Sequence, residues 1–126
     1  MIHPLVGPMQ GKVWGSTQSI FRSDDTEVNF INARAGWQCS EHFHNRKYNR
    51  FYVISGRLRI TIFGEQSNDV TELGPGMCTD VPSGVYHKFE AVEDSLAIEI
   101  YWVGGLDPDD IVRRTIGGQT RNSSPS

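Results

Sequence analysis

The sequence predicts an all-β fold, a sandwich or barrel of short strands. Short runs of β-branched and aromatic residues recur at close intervals, with Gly, Pro, Asp, Asn and Ser between them, and helical periodicity is nearly absent. With 126 residues the chain has enough apolar sequence for one modest core and not for a second. Residues 1–118 are therefore expected to form a single domain. A mobile polar tail is expected over 119–126, where apolar residues are lacking.

Eight strands are expected. The segment 26–34, with Thr26, Val28, Phe30 and Ile31, opens the series, and 38–44 follows, where residues alternate about a pair of histidines. The runs 50–54 and 96–102 are apolar on both faces or nearly so, which calls for a covering layer on each side. A second copy of the chain would supply it, and a homodimer is expected. Between them, 58–63 places Leu58, Ile60 and Ile62 in alternation with Arg59 and Thr61, the pattern of a strand with one buried and one wetted face. Strands over 70–73, 77–81 and 86–91 complete the set. The breaks include Ser55-Gly56, Gly74-Pro75-Gly76 and Pro82-Ser83-Gly84. Gly56 and Gly84 stand where the chain reverses, and glycine tolerates the positive φ that such turns require. After Trp102, the stretch Asp107-Pro108-Asp109-Asp110 is expected to cap a short C-terminal helical turn carrying Ile111 and Val112.

The net charge of −3 and the dispersed basic residues leave no basic stripe for nucleic acid. No segment approaches the roughly 18 apolar residues of a membrane span, and the N-terminus lacks a charged region followed by a long apolar core. Cys39 and Cys78 follow no CxxC spacing and are expected as reduced structural thiols. A cytoplasmic protein acting on a small molecule, with no nucleic-acid or membrane partner, is the expectation.

Three of the four histidines carry the chemistry. His42 and His44 stand two apart, which on a strand puts both imidazoles on one face, where they can bind one ion together. His87 follows the Pro82-Ser83-Gly84 turn and would complete three nitrogen ligands, leaving positions open for water or substrate. A divalent ion is therefore expected. Zinc, iron, nickel, manganese and copper all remain open.

The spacings Gly36-x5-His42-x-His44-x4-Asn49-x6-Gly56 and Gly76-x5-Pro82-x-Gly84-x2-His87 resemble the two motifs of the cupin superfamily. That resemblance implies a double-stranded β-helix, the jelly-roll or cupin barrel, with a divalent metal at its mouth on the three histidines and a glutamate. Here the glutamate position is Asn49 and the asparagine that ends the second motif is Ala91. Asn49 is thus a weak ligand in place of the family carboxylate, and affinity for hard cations should fall. Gly11-Lys12-Val13-Trp14-Gly15, Val53-Ile54-Ser55-Gly56 and 106–113 are further similar to the cupin domain of type II mannose-6-phosphate isomerases. This implies a sugar phosphate or related polar metabolite as ligand. A non-catalytic binding cupin and a three-histidine iron(II) dioxygenase are the other readings of the same residues.

For substrate contact, Gln38 and Ser40 share the alternation of His42 and His44 and are expected in the same cavity. Tyr48, Tyr86 and Trp102 offer aromatic surface for a sugar or core packing. Arg113 matches the isomerase segment as a phosphate contact, with a surface ion pair as its alternative. Lys88 should point away from His87 into solvent. Arg50, Arg57 and Arg59 either rim the site or lie on a wetted face. No residue stands out as a catalytic base.

Overall fold

Along Tyr48–Ser55 every second residue is buried, Asn49, Phe51 and Val53 facing one way while Arg50, Tyr52 and Ile54 face out. Ser95–Trp102 repeats the pattern with Ser95, Ala97 and Glu99 inward. The two pair antiparallel, Phe51 opposite Glu99 and Val53 opposite Ala97. The computed structural model describes residues 9–104, 108–110, 112–114, 117 and 119. Among them the strands are β1 (Met9–Lys12), β2 (Gly15–Arg22), β3 (Thr26–Ala33), β4 (Tyr48–Ser55), β5 (Leu58–Ile62), β6 (Asp69–Leu73), β7 (Cys78–Val81), β8 (His87–Ala91) and β9 (Ser95–Trp102).

They form two antiparallel sheets, a larger one in the order β1-β2-β3-β9-β4-β7 and a smaller one in the order β6-β5-β8. From β4 onward the chain passes back and forth between the sheets, as in a jelly roll. The core lies between them. Ile31, Phe51, Val53 and Ala97 from the larger sheet meet Leu58, Ile60, Phe89 and Ala91 from the smaller one, and Trp14 packs edge-on against Phe89 with ring centroids 4.8 Å apart. Burying such side chains contributes about 1.5–3 kcal/mol each before the cost of ordering the chain is counted.

Gly56 (φ +87°) and Gly84 (φ +81°) take the left-handed conformation expected at their turns. At Gly56 a side chain would also run into the backbone of Asp94 and Ser95.

Two sequence expectations are corrected. Segment 38–44 forms no continuous strand; it touches β8 through single bridges at Gln38 and His42. Strands β1 and β2 lie outside the eight that the sequence pattern predicts. The expected short helical turn falls partly outside the described residues: Pro108 and Asp109 make a turn, while Asp107 and Ile111 lie outside them. The expected tail beyond Gln119 also lies outside them. No helix among the described residues is long and apolar enough to cross a membrane.

Candidate metal centre

The histidines are brought together by β8 and the irregular segment beside it. Cys39 N–H donates to Phe89 O at 3.1 Å, and His42 and His87 exchange two backbone bonds of 3.1 and 2.8 Å. Between these pairs the segment advances from 39 to 42 while β8 goes only from 89 to 87. One side has an extra residue, a bulge that reverses the alternation. Cys39 therefore packs against the core and His42 still faces inward opposite His87. Gln38 falls on the outer face, where its Oε1 accepts from Lys88 Nζ at 2.9 Å. The expectation that Gln38 shares the histidine cavity is thereby corrected, since strict alternation does not survive the bulge. Ser40 does line that cavity. The turn before β8 closes on the same segment, Gly84 N–H donating to His44 O at 2.7 Å.

One ligand atom from each of His42, His44 and His87 lies within 4.8 Å of the other two. The three rings adjoin, with centroids 4.5 Å apart for His42 and His87, 5.0 Å for His42 and His44 and 5.5 Å for His44 and His87. Backbone carbonyls orient two of them. His42 Nδ1 lies 2.7 Å from Ser40 O, and His87 Nδ1 lies 3.0 Å from Val85 O. A carbonyl only accepts, so each Nδ1 carries the proton and each Nε2 keeps its lone pair. This carbonyl-held tautomer is the usual support of a metal-binding histidine. His44 Nε2 and His87 Nε2 are buried with no hydrogen-bond partner, as is Asn49 Oδ1. Buried lone pairs left unmatched are costly. A cation held by the three imidazoles would match both histidine nitrogens, so the histidines fit a divalent metal.

His44 and His87 are held neutral, as ligands must be. Burial pushes His44 down to about 4, with the charges of His42, Lys47 and His87 adding to it. Burial also lowers His87, against the pull of its bond to Val85. The linkage has a definite sign. A depressed folded-state value means that the unfolded chain takes up protons first, from its ordinary value of 6.5 downward. Metal-free protein is therefore expected to lose stability as pH falls from 6.5 towards 4. Melting curves across that window should show a shallower decline for His44→Asn; an equally steep one would remove His44 as a cause.

His42 and Ser40 open onto a cavity of about 620 Å³ between the sheets. The remainder of its wall lies beyond what the sequence predicts. Lys12 from β1, Thr17 and Ser19 from β2, Asn29 from β3, and Glu99 and Tyr101 from β9 all line it. Glu99 is buried, and burial raises its carboxyl above the ordinary range, opposed by side-chain hydrogen bonds from Asn49, Tyr101 and Asn29. Tyr101 packs edge-on against His44 at 5.1 Å, with Lys47 Nζ 4.4 Å above its ring. Only one sequence signal points to this wall, the charged Glu99 inside an otherwise apolar strand.

Other candidates lie elsewhere. Tyr48 is exposed and stacks on Trp102 at 5.7 Å, and Tyr86 is exposed against Phe43 at 4.8 Å. Neither lines the cavity, because both lie on outward positions of their chain segments. Arg113 is exposed beyond β9 and is not among the cavity residues. Lys88 faces out, paired with Glu90 at 3.1 Å. Arg50 grips Asp80 through two bonds of 2.6 and 2.8 Å, and Arg57 and Arg59 pair with Glu72, Glu90 and Glu93. These arginines are occupied on wetted faces. Cys39 and Cys78 are free thiols, and burial pushes Cys39 up to about 11.

Solved structures share this architecture. KdgF from Halomonas sp. superposes with a TM-score of 0.68 at 21% identity, over 78% of this chain and 89% of that one. A variant of oxalate decarboxylase from B. subtilis gives 0.69 at 20%, over 81% of this chain and 29% of that one. The capsular polysaccharide assembling protein CapF from Staphylococcus aureus gives 0.65 at 24%, over 86% and 31%. No curated protein matches the chain by sequence. The Cupin domain family, however, matches residues 30–104, from β3 through the histidines to the end of β9, and it is to this family that the chain belongs.

Proposed function

We propose that this cupin binds a divalent metal on His42, His44 and His87 and acts on a small polar metabolite of the sugar-phosphate class, held between the metal and the cavity wall. One observation carries the reading: buried, unpartnered imidazole nitrogens converge beside a cavity of about 620 Å³ whose wall includes several hydrogen-bonding side chains. When bound, the metal would polarise a carbonyl or hydroxyl oxygen of the ligand. Asn49 is its fourth, weaker ligand. Thr17, Ser19, Asn29 and Tyr101 offer hydrogen bonds to hydroxyl groups, and the exposed Lys12 supplies positive charge for an anionic group, with Arg22, 3.9 Å from Glu27, beside it. The similarity to the isomerase cupin domain at Lys12-Val13-Trp14-Gly15 agrees with this, since Lys12, Val13 and Trp14 form part of the wall. Ser40 remains a candidate contact.

Mannose 6-phosphate or fructose 6-phosphate is expected to raise the melting temperature of metal-loaded protein. At a ligand concentration a hundredfold above Kd the gain is about 2.7 kcal/mol. No shift at millimolar concentration of either would remove the sugar-phosphate assignment.

The free thiols agree with a reducing, cytoplasmic location. A homodimer is the further element of the proposal. The outer face of the larger sheet exposes Tyr48, Tyr52 and Ile54 beside the half-buried Ile98, Ile100 and Trp102, an apolar patch that a second copy would cover. Sedimentation should give twice the chain mass, and Ile54→Glu should give the monomer. A wild-type monomer at high micromolar concentration would dismiss the dimer.

A further inference from the structure

Glu99 is 8% exposed, and no lysine or arginine among the described residues pairs with it. A carboxylate so placed is expensive unless something nearby compensates. Its neighbours are neutral donors, and the best defined is Asn49, whose Nδ2 donates to Glu99 Oε2 at 3.2 Å. That bond decides which way the Asn49 amide faces. Opposite a carboxylate only the NH2 group can pair, so the amide oxygen must turn away. Asn49 is wholly buried, and its Oδ1 has no partner. The residue stands on β4 across from Tyr101, whose ring packs against His44.

We propose that Glu99 and Asn49 work as one unit: the carboxylate on β9 replaces the one missing from β4, fixing the Asn49 amide so that Oδ1 faces the cation and supplying negative charge from behind it. Glu99 is thus a positioning residue that acts through Asn49, and the inference rests on the three-histidine metal reading. The arrangement explains together why a buried carboxylate lacks a cationic partner and why a buried amide oxygen lacks a donor. Each is matched once a dication occupies the site. Outer partners of this kind typically account for about 10–100-fold in metal affinity.

The test is titration of chelator-treated full-length protein with Co²⁺ and Zn²⁺, following the visible absorption of bound cobalt and competing for zinc with a chromophoric chelator. Wild type should bind one ion. Glu99→Gln should bind about 10–100-fold more weakly and with an altered cobalt spectrum, because its own amide can turn either group towards Asn49. Asn49→Ala should weaken binding to a similar degree, and adding Glu99→Gln to it should cost little more. The exchanged pair Asn49→Glu with Glu99→Gln, which moves the carboxylate back to β4, should recover wild-type affinity or better, and circular dichroism should show all variants folded. Wild-type binding together with a Glu99→Gln affinity within twofold of it would overturn the unit and leave the histidine centre standing. Fully additive losses in the double variant would overturn it too. No binding by wild type would overturn the histidine reading itself and this inference with it.

Discussion

Removal of His42 or His87 as alanine is expected to abolish stoichiometric metal binding. Structural zinc sites gain about 10–16 kcal/mol from all their ligands together, so one ligand of three or four corresponds to several kcal/mol. The affinity should therefore fall on the order of 10²–10³-fold. The two residues test different parts of the claim. His87 is 1% exposed at the start of β8, and its loss also leaves a small cavity. His42 is only half-buried on the irregular segment, so His42→Ala should leave the fold nearly untouched while the metal is lost. Elemental analysis of protein purified without chelators, followed by titration with Zn²⁺, reads both. Tight stoichiometric metal in His42→Ala would place the ion elsewhere.

The largest stability effect is expected for Phe51→Ala. Phe51 is 1% exposed at the centre of β4, the largest of the side chains buried to that degree, and it packs edge-on against Phe89 across the two sheets at 5.8 Å. Alanine there loses the transfer free energy of the ring and leaves a void that paired strands on either side cannot close, a cost of about 3–5 kcal/mol. For a domain of this size that amounts to roughly 10–20 °C in melting temperature. Val112→Ala is the comparison, since Val112 is 97% exposed and should stay within about 0.5 kcal/mol of wild type. Similar melting temperatures for Phe51→Ala and Val112→Ala would show that the core does not lie between these sheets.

Much of the architecture was legible because it rests on local rules. The strands β3 to β9 follow runs whose alternation or β-branched content is plain, and Gly56 and Gly84 mark turns that need positive φ. The histidine trio was legible for the same reason, as its spacing with glycines and proline is itself a pattern along the chain. The first two strands were hidden. In β2 the inward residues Thr17 and Ser19 are as polar as the outward Ser16 and Gln18, so no apolar-polar alternation marks it. Its inner face looks onto the cavity, where polar side chains need not be excluded.

The sequence by itself determined the two-motif framework, the three histidines and the loss of the carboxylate at Asn49. Only the tertiary structure decided what surrounds them. A bulge between Cys39 and His42 sends Gln38 to the outer face, and pairing of β4 with β9 brings Glu99, fifty positions along the chain, within a hydrogen bond of Asn49. Periodicity records which face a residue occupies only while register holds, and it carries no record of which distant strand will lie alongside. A carboxylate stands elsewhere in the chain, and strand pairing alone places Glu99 beside Asn49 and in the wall of the histidine cavity.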